Sequence, residues 1–254
     1  YTHLDHLFSF NYDMTTLGEY YYLNASTGFH EFTVNPTGGG DQQDADIAQD
    51  DDGNFVVVWE GDNDKNGVFD VRCRGFDYDG NELFPETIVN SLGTNSLTAV
   101  NPRIARAPDG RFAVAFQTSN TDVRVRVFNA DGSPTGSEVS VVTRTGGTQR
   151  DPDIAMDDNG NFVVAWEDDA DGNGYYQIRA RGLDINLNQV FAEKTINTAA
   201  AGQQFNPEVA MAPNGDYVIV WQSLGQDGSG TGVFGQRYDA DGTPAGGEFQ
   251  VNTT

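Results

Sequence analysis

The chain has 254 residues, of which 37% are hydrophobic, and its 38 acidic and 14 basic residues give a formal net charge of −24 at pH 7. So acidic a surface argues against nucleic acid and anionic membranes as partners, and no apolar run approaches the roughly 18 residues needed to cross a bilayer. The only cysteine, Cys73, excludes an internal disulfide.

The first 43 residues are predicted to form a degenerate copy of the repeat that recurs in the rest of the chain. Residues 20–37 (YYYLNASTGFHEFTVNPT) align with the C-terminal residues 235–254, and residues 4–13 can supply an inner strand. This N-terminal blade (1–43) would lack its first strand. We expect either a neighbouring subunit to fill that place by strand addition, or the stretch to pack irregularly. The opening residues lack the basic and apolar regions of a signal peptide, so a secreted protein would begin here in its mature form.

Four full repeats follow, each with an alternating segment, an Asp/Asn-Gly turn and a β-branched run that ends in an aromatic residue. The turn favours a hairpin, and the period is that of one supersecondary unit that must stack on its neighbours. The four copies are 44–59, 101–116, 151–166 and 206–221, with turn glycines Gly53, Gly110, Gly160 and Gly215.

Each repeat predicts four antiparallel strands, A to D, as in a propeller blade. We therefore predict an all-β fold: one β-propeller domain (1–254) of about five four-stranded blades. The full blades, I to IV, are 44–100, 101–150, 151–205 and 206–254. Strand B is nearly all apolar, so its terminal aromatics should fill the space between blades; they are Trp59, Phe116, Trp166 and Trp221. Strand C repeats an arginine (Arg74, Arg126, Arg181) that we expect to pair with acidic residues between blades.

The B–C loops carry a candidate calcium motif. Oxygen ligands at alternate positions of a tight loop can converge on one cation, with glycine at the bend. The spacing D-x-D-x-N-G places the candidate ligands Asp62, Asp64, Asn66 and Asp70 in blade I, and Asp169, Asp171 and Asn173 in blade III. These loops resemble the short calcium loops of integrin-type propeller repeats. The alternative is that the motif only stabilises a turn.

No catalytic constellation is visible in the sequence. A nucleophile elbow of the G-x-S-x-G type is absent, and the paired acidic residues beside the A–B turns recur with the repeat, which favours turn chemistry over acid–base catalysis. The sequence therefore predicts that the protein is not an enzyme.

Residues 206–254 (NPEVAMAPNGDYVIVWQSLGQDGSGTGVFGQRYDADGTPAGGEFQVNTT) resemble repeats of large secreted bacterial and archaeal surface proteins. The resemblance implies an extracellular, cell-surface propeller with structural or adhesive roles, carries over no catalytic residue, and suits self-assembly into a filament or layer. The expected partners are copies of the chain itself and surface glycans, and the expected cofactor is Ca²⁺. Two alternatives stay open: a lectin-like carbohydrate-binding propeller and a propeller hydrolase.

Overall fold

The computed structural model describes residues 31–36, 39–63, 65–91, 97–119, 122–144, 146–199 and 202–253. These residues form sixteen β-strands and no α-helix. The strands are β1 Gln42–Gln49, β2 Phe55–Gly61, β3 Asp70–Phe76, β4 Glu82–Ile88, β5 Ala99–Arg106, β6 Phe112–Thr118, β7 Asp122–Phe128, β8 Val139–Ser140, β9 Thr148–Met156, β10 Phe162–Asp169, β11 Gln177–Leu183, β12 Gln189–Thr195, β13 Gln204–Met211, β14 Tyr217–Leu224, β15 Thr231–Tyr238 and β16 Phe249–Gln250.

The strands make four separate four-stranded sheets, each antiparallel and each in chain order. They coincide with blades I to IV. The first strands of successive blades contact one another: β1 contacts β5, β5 contacts β9 and β9 contacts β13. The predicted propeller fold is confirmed, with the first strand of every blade on the inner side. No described segment forms a helix long and apolar enough to cross a membrane.

The strand-B aromatics fill the space between blades, as predicted. Trp59, Phe116, Trp166 and Trp221 are at most 1% exposed. Every residue of β10 is buried, because this strand lies between two neighbours in its sheet and both sheet faces are covered by adjacent blades.

The C–D turn shows how strongly the blade dictates backbone shape. Gly80, Gly132 and Gly242 occupy this turn with φ between +77° and +84°. Blade III has Leu187 at the same place, with φ +66°, and its N–H donates to the Asp184 carbonyl at 2.8 Å. A left-handed leucine is strained, so the surrounding contacts impose the turn without the glycine that normally permits it.

Strand D begins at different places in different blades, which the sequence did not predict. In the sequence, the short segments that follow the C–D turns predict strand D at 86–90, 137–142, 193–197 and 248–253. In blades I and III the strand starts earlier, because the rings of Phe84 and Phe191 lie over Gly75 and Gly182, where a Cβ atom would come within 2.4 Å of a ring carbon. Blades II and IV have only an isolated bridge at a proline there and keep two-residue strands.

Residues 31–36 pack on blade I as a D strand packs on the blade that follows it. The Phe32 ring lies 5.1 Å from that of Phe76. Arg74 Nη1 donates to the Val34 carbonyl at 2.6 Å. The remainder of the predicted N-terminal blade, including its missing first strand, lies outside the described residues.

The same contact corrects the role expected for the strand-C arginines. Arg126 Nη1 donates to the Val89 carbonyl at 2.7 Å, and Arg181 Nη1 to the Val141 carbonyl at 3.4 Å. These arginines tie a blade to the backbone of the preceding D strand. The expected carboxylate between blades is thus replaced by a backbone carbonyl at Arg126 and Arg181. Arg74 does bind a carboxylate, that of Glu82 at 2.5 Å, but within its own blade.

Candidate functional site

The inner strand of each blade contains one residue in the left-handed conformation. These residues are Asp44, Asn101, Asp151 and Asn206, with φ between +48° and +52°. Asp and Asn tolerate this conformation better than other side chains. In all four blades the strand pairing shifts register around this residue, as in a β-bulge, which redirects the backbone N–H out of its own sheet.

That N–H binds a side chain from strand B of the preceding blade. Asn101 N donates to Glu60 Oε1 at 2.5 Å, and Asn206 N donates to Glu167 Oε1 at 2.8 Å. Both glutamates are 1% exposed. Burial raises the pKa of each above its ordinary value, against the lowering effect of these hydrogen bonds. The inner ends of neighbouring blades are thus joined by buried carboxylates.

Two residues further along, four charged side chains occupy the same position of the inner strands: Asp46, Arg103, Asp153 and Glu208. Asp46 Oδ2 accepts a hydrogen bond from Ile104 N at 2.9 Å. Asp153 Oδ2 accepts one from Val209 N at 2.6 Å. Each of these carboxylates therefore reaches the inner strand of the next blade.

Asp153 is the most perturbed of these groups. Its pKa is raised from 3.8 to about 6, chiefly by burial and in smaller part by the nearby Glu208 carboxylate. The Val209 N–H and the Arg103 guanidinium act in the opposite direction. Glu208 itself is exposed. The site therefore brings a half-buried carboxyl that holds its proton at mildly acidic pH beside a solvent-accessible carboxyl, and such a pair can give and accept protons.

Sequence reasoning missed this pair because it treated the alternating segment that opens each repeat as purely structural; in three copies that segment reads Pro-x-Ile/Val-Ala. The available signal was the variable position x, which is Arg103, Asp153 or Glu208 in the three proline-containing copies. A charged residue on an inner strand of a propeller lies near the propeller axis. Because a charged residue recurs at this position in every repeat, its functional significance was overlooked.

In the blade I loop, the candidate calcium residues serve the backbone. Asp62 Oδ1 accepts from Asn66 N and Asp62 Oδ2 from Gly67 N, both at 3.0 Å. Asp70 Oδ1 accepts from Asn90 Nδ2 at 2.9 Å. Asp64 lies outside the described residues. This pattern is the one expected of a stabilised turn.

The blade III loop has the same turn-type hydrogen bonds, except that one carboxylate oxygen of Asp169 has no partner. Both carboxylate oxygens of Asp171 accept from Asn173, and Asn173 Oδ1 accepts from Tyr175 N at 2.7 Å. Asp169 Oδ2 accepts from Gly174 N, while its buried Oδ1 has no hydrogen-bond partner. No group of three or more His, Cys, Asp or Glu side chains suited to a metal occurs within the described residues. Ca²⁺ at these loops stays a prediction.

Comparison with known proteins shows the fold. No family model and no curated protein matches the chain. Among solved structures, an α-L-arabinanase of Penicillium chrysogenum complexed with arabinobiose has a TM-score of 0.56 at 13% identity, covering 83% of this chain and 66% of that one. An α-L-arabinofuranosidase of Fusarium graminearum has 0.55 at 15%, covering 85% and 68%. A protein of unknown function from Dyadobacter fermentans has 0.50 at 10%, covering 70% and 48%.

These neighbours correct one prediction and leave another open. The prediction that the chain is not an enzyme is wrong, because solved chains of the same architecture are glycosidases and the recurrence of acidic residues with the repeat is no argument against catalysis. The resemblance to surface-protein repeats has no match among them and stays a prediction. At 15% identity or less the likeness establishes architecture, and the chain shares the β-propeller fold of these solved structures.

Proposed function

We propose that the protein is a carbohydrate-active propeller, a glycoside hydrolase with its reaction centre at the inner strands of blades III and IV. The observation that carries the proposal is the pairing of Asp153 with Glu208. The fold neighbours act on arabinose-containing substrates, so a pentose-rich polysaccharide is the substrate class to try first.

Glycoside hydrolysis needs one carboxyl that supplies a proton and one carboxylate that activates or replaces water. Asp153, with a pKa of about 6, is the proton donor to the glycosidic oxygen. Glu208, exposed at the same position of the neighbouring strand, is the carboxylate that takes a proton from water as the water attacks the anomeric carbon. The bond between that carbon and the departing oxygen breaks as the water attacks, the departing oxygen takes the proton of Asp153, and Asp153 is left ionised.

Arg103 extends this centre. It occupies the position in blade II that Asp153 occupies in blade III, and its guanidinium favours the ionised form of Asp153. The attraction between Arg103 and Asp153 matters most after proton transfer, because the Asp153 carboxylate then carries a negative charge. Arg103 is therefore a positioning residue for the Asp153 carboxylate.

The test compares three variants on linear arabinan and arabino-oligosaccharides. Asp153→Asn and Glu208→Gln should each lower kcat by about 100-fold or more. Asp46→Asn is the matched control, because Asp46 accepts the equivalent inter-blade hydrogen bond in blade I and should keep the activity. The wild-type rate should fall as pH rises above about 6. Full activity in Asp153→Asn, or no wild-type activity on these substrates, would overturn the proposal.

Self-assembly is a second candidate function, favoured by an apolar edge on blade IV. Phe249 and Val251 are 39% and 51% exposed. The residues equivalent to Val251 in blades I to III are Val89, Val141 and Ile196, whose N–H groups donate to the corresponding strand-C carbonyls. These three side chains are at most 3% exposed, and each of their blades is followed by another described blade. A second copy of the chain covering this edge would give a head-to-tail contact. Light scattering over a range of concentrations tests this. Mass growth that Phe249→Ser abolishes supports assembly, and a constant monomer mass excludes it.

Secretion, with the protein acting outside the cell or at its surface, remains our proposal for location. Plant and microbial polysaccharides are encountered outside the cell, and the acidic surface (net charge −24) is compatible with an extracellular location.

A further inference from the structure

Blade III carries a groove of about 760 Å³ whose lining residues come from strands β10, β11 and β12 and from the loops beside them. The groove lies between the B–C loop of this blade and the segment that follows its D strand. Its walls include Asn173, Tyr175, Gln177, Thr195 and Asn197. Half of the twelve lining residues carry amide or hydroxyl side chains, and four are charged.

The four charged lining residues carry both signs, with Asp168 and Asp171 beside Arg144 and Arg179, and Arg179 Nε also donates to Glu193 Oε1 at 2.6 Å. Asp168 is 4% exposed, and its Oδ2 lies 3.7 Å from Arg144 Nη1 and from Arg179 Nε. Both distances exceed a good hydrogen bond, so that oxygen can accept one from a ligand hydroxyl between the two arginines. A groove that has no excess of basic side chains, in a chain of net charge −24, suits a neutral polar ligand better than an anionic one.

Tyr175 gives the groove an aromatic surface and is 55% exposed. The same loop position is Val68 in blade I, and by sheet register it is Gly230 in blade IV. Thr195 likewise replaces Ile88, and its Oγ1 accepts from Arg179 Nη1 at 2.9 Å. An exposed ring beside fixed amides, hydroxyls and guanidinium groups is the combination that binds the apolar face and the hydroxyls of a sugar ring.

From these observations we infer that blade III holds an auxiliary binding site for a neutral saccharide chain, separate from the inner-strand carboxylates. Tyr175 stacks on a sugar ring, and Asp168 with Arg179 receives its hydroxyl groups. The site would hold a polysaccharide on the protein without taking part in bond cleavage, so it does not depend on the chain being a hydrolase.

Affinity electrophoresis in native gels tests the inference. The Asp153→Asn protein is run through gels containing linear arabinan, xylan or polygalacturonate. Hydrolysis at the proposed centre is thereby slowed about 100-fold or more, and binding is measured without reference to activity, so binding and catalysis fail or succeed separately. We expect retardation by at least one of the two neutral polymers and none by the anionic one. Tyr175→Ala should weaken the association by about tenfold or more, and Tyr175→Phe should keep it.

The matched control is Tyr78→Ala, which removes another highly exposed tyrosine, 69% exposed on blade I, and should leave retardation unchanged. Thermal unfolding of each variant verifies that the blades remain folded. Unchanged retardation in Tyr175→Ala, retardation by polygalacturonate only, or no retardation by either neutral polymer would each overturn the inference.

Discussion

Asp153 should make the stability of this protein depend on pH in a direction opposite to that of most carboxylates. Its folded pKa of about 6 lies roughly two units above the ordinary 3.8. At about 1.4 kcal/mol per unit, ionised Asp153 destabilises the folded state by about 3 kcal/mol. The penalty is absent below the unfolded pKa, grows as pH rises from about 4 to 6, and is constant above.

Replacing Asp153 by Asn removes the charge and keeps an oxygen that can accept from Val209 N. We therefore expect Asp153→Asn to be more stable than the wild type by up to about 3 kcal/mol at pH 8, with the advantage shrinking towards zero at pH 4. Urea denaturation at both pH values, fitted to a two-state transition, measures the difference. Contributions from distant titrating groups such as Glu60 cancel between the two proteins.

Asp46→Asn, measured in parallel, gives the effect of an amide at the same position of blade I, where the accepted bond to Ile104 N is 2.9 Å long. If the stability difference between Asp153→Asn and the wild type were the same at pH 4 and pH 8, the reasoning would be refuted. That result would mean that Asp153 stays well hydrated and ionises normally, and it would also remove the proton donor from the proposed reaction.

Three further predictions concern the packing of the blades. Burial raises the pKa of the Cys73 thiol to about 12, so a thiol reagent at pH 8 should label it only after denaturation, and rapid labelling of the native protein would contradict its burial. Gly147→Ala should destabilise the protein by more than about 2 kcal/mol, because its φ is +67° and a Cβ atom would lie 1.7 Å from the Asp169 carbonyl oxygen. Gly136→Ala is the control and should change stability little, because a Cβ atom there would have nothing within 4 Å. Equal effects of the two substitutions in thermal unfolding would contradict this prediction. Phe116→Ala should cost about 3–5 kcal/mol through the cavity it leaves, since the ring is fully buried; a loss below 1 kcal/mol in urea denaturation would show that the core collapses around it.

The features that the sequence predicted correctly are those set by local chemistry. An Asp/Asn-Gly turn and a β-branched run specify a hairpin whatever surrounds them. Repetition of that unit every 50 to 57 residues requires stacking, because a single unit cannot bury its apolar face. The burial of Trp59, Trp166 and Trp221 followed from the same pattern.

The features that the sequence missed depend on a second blade. The pKa of Asp153 is raised by burial and by Glu208, which lies 55 positions later in the chain. Arg126 binds a carbonyl of the preceding blade, and the sequence of its own strand does not predict that partner. Leu187 adopts a glycine-like conformation only because the packed blade imposes it.

By itself, then, the sequence determined an acidic all-β repeat protein and where its hairpins begin. The tertiary structure alone decided which of its 38 acidic residues become chemically distinct. The reason is physical: a carboxyl departs from its ordinary pKa through lost hydration and nearby charge, and at the inner strands both are supplied by neighbouring blades.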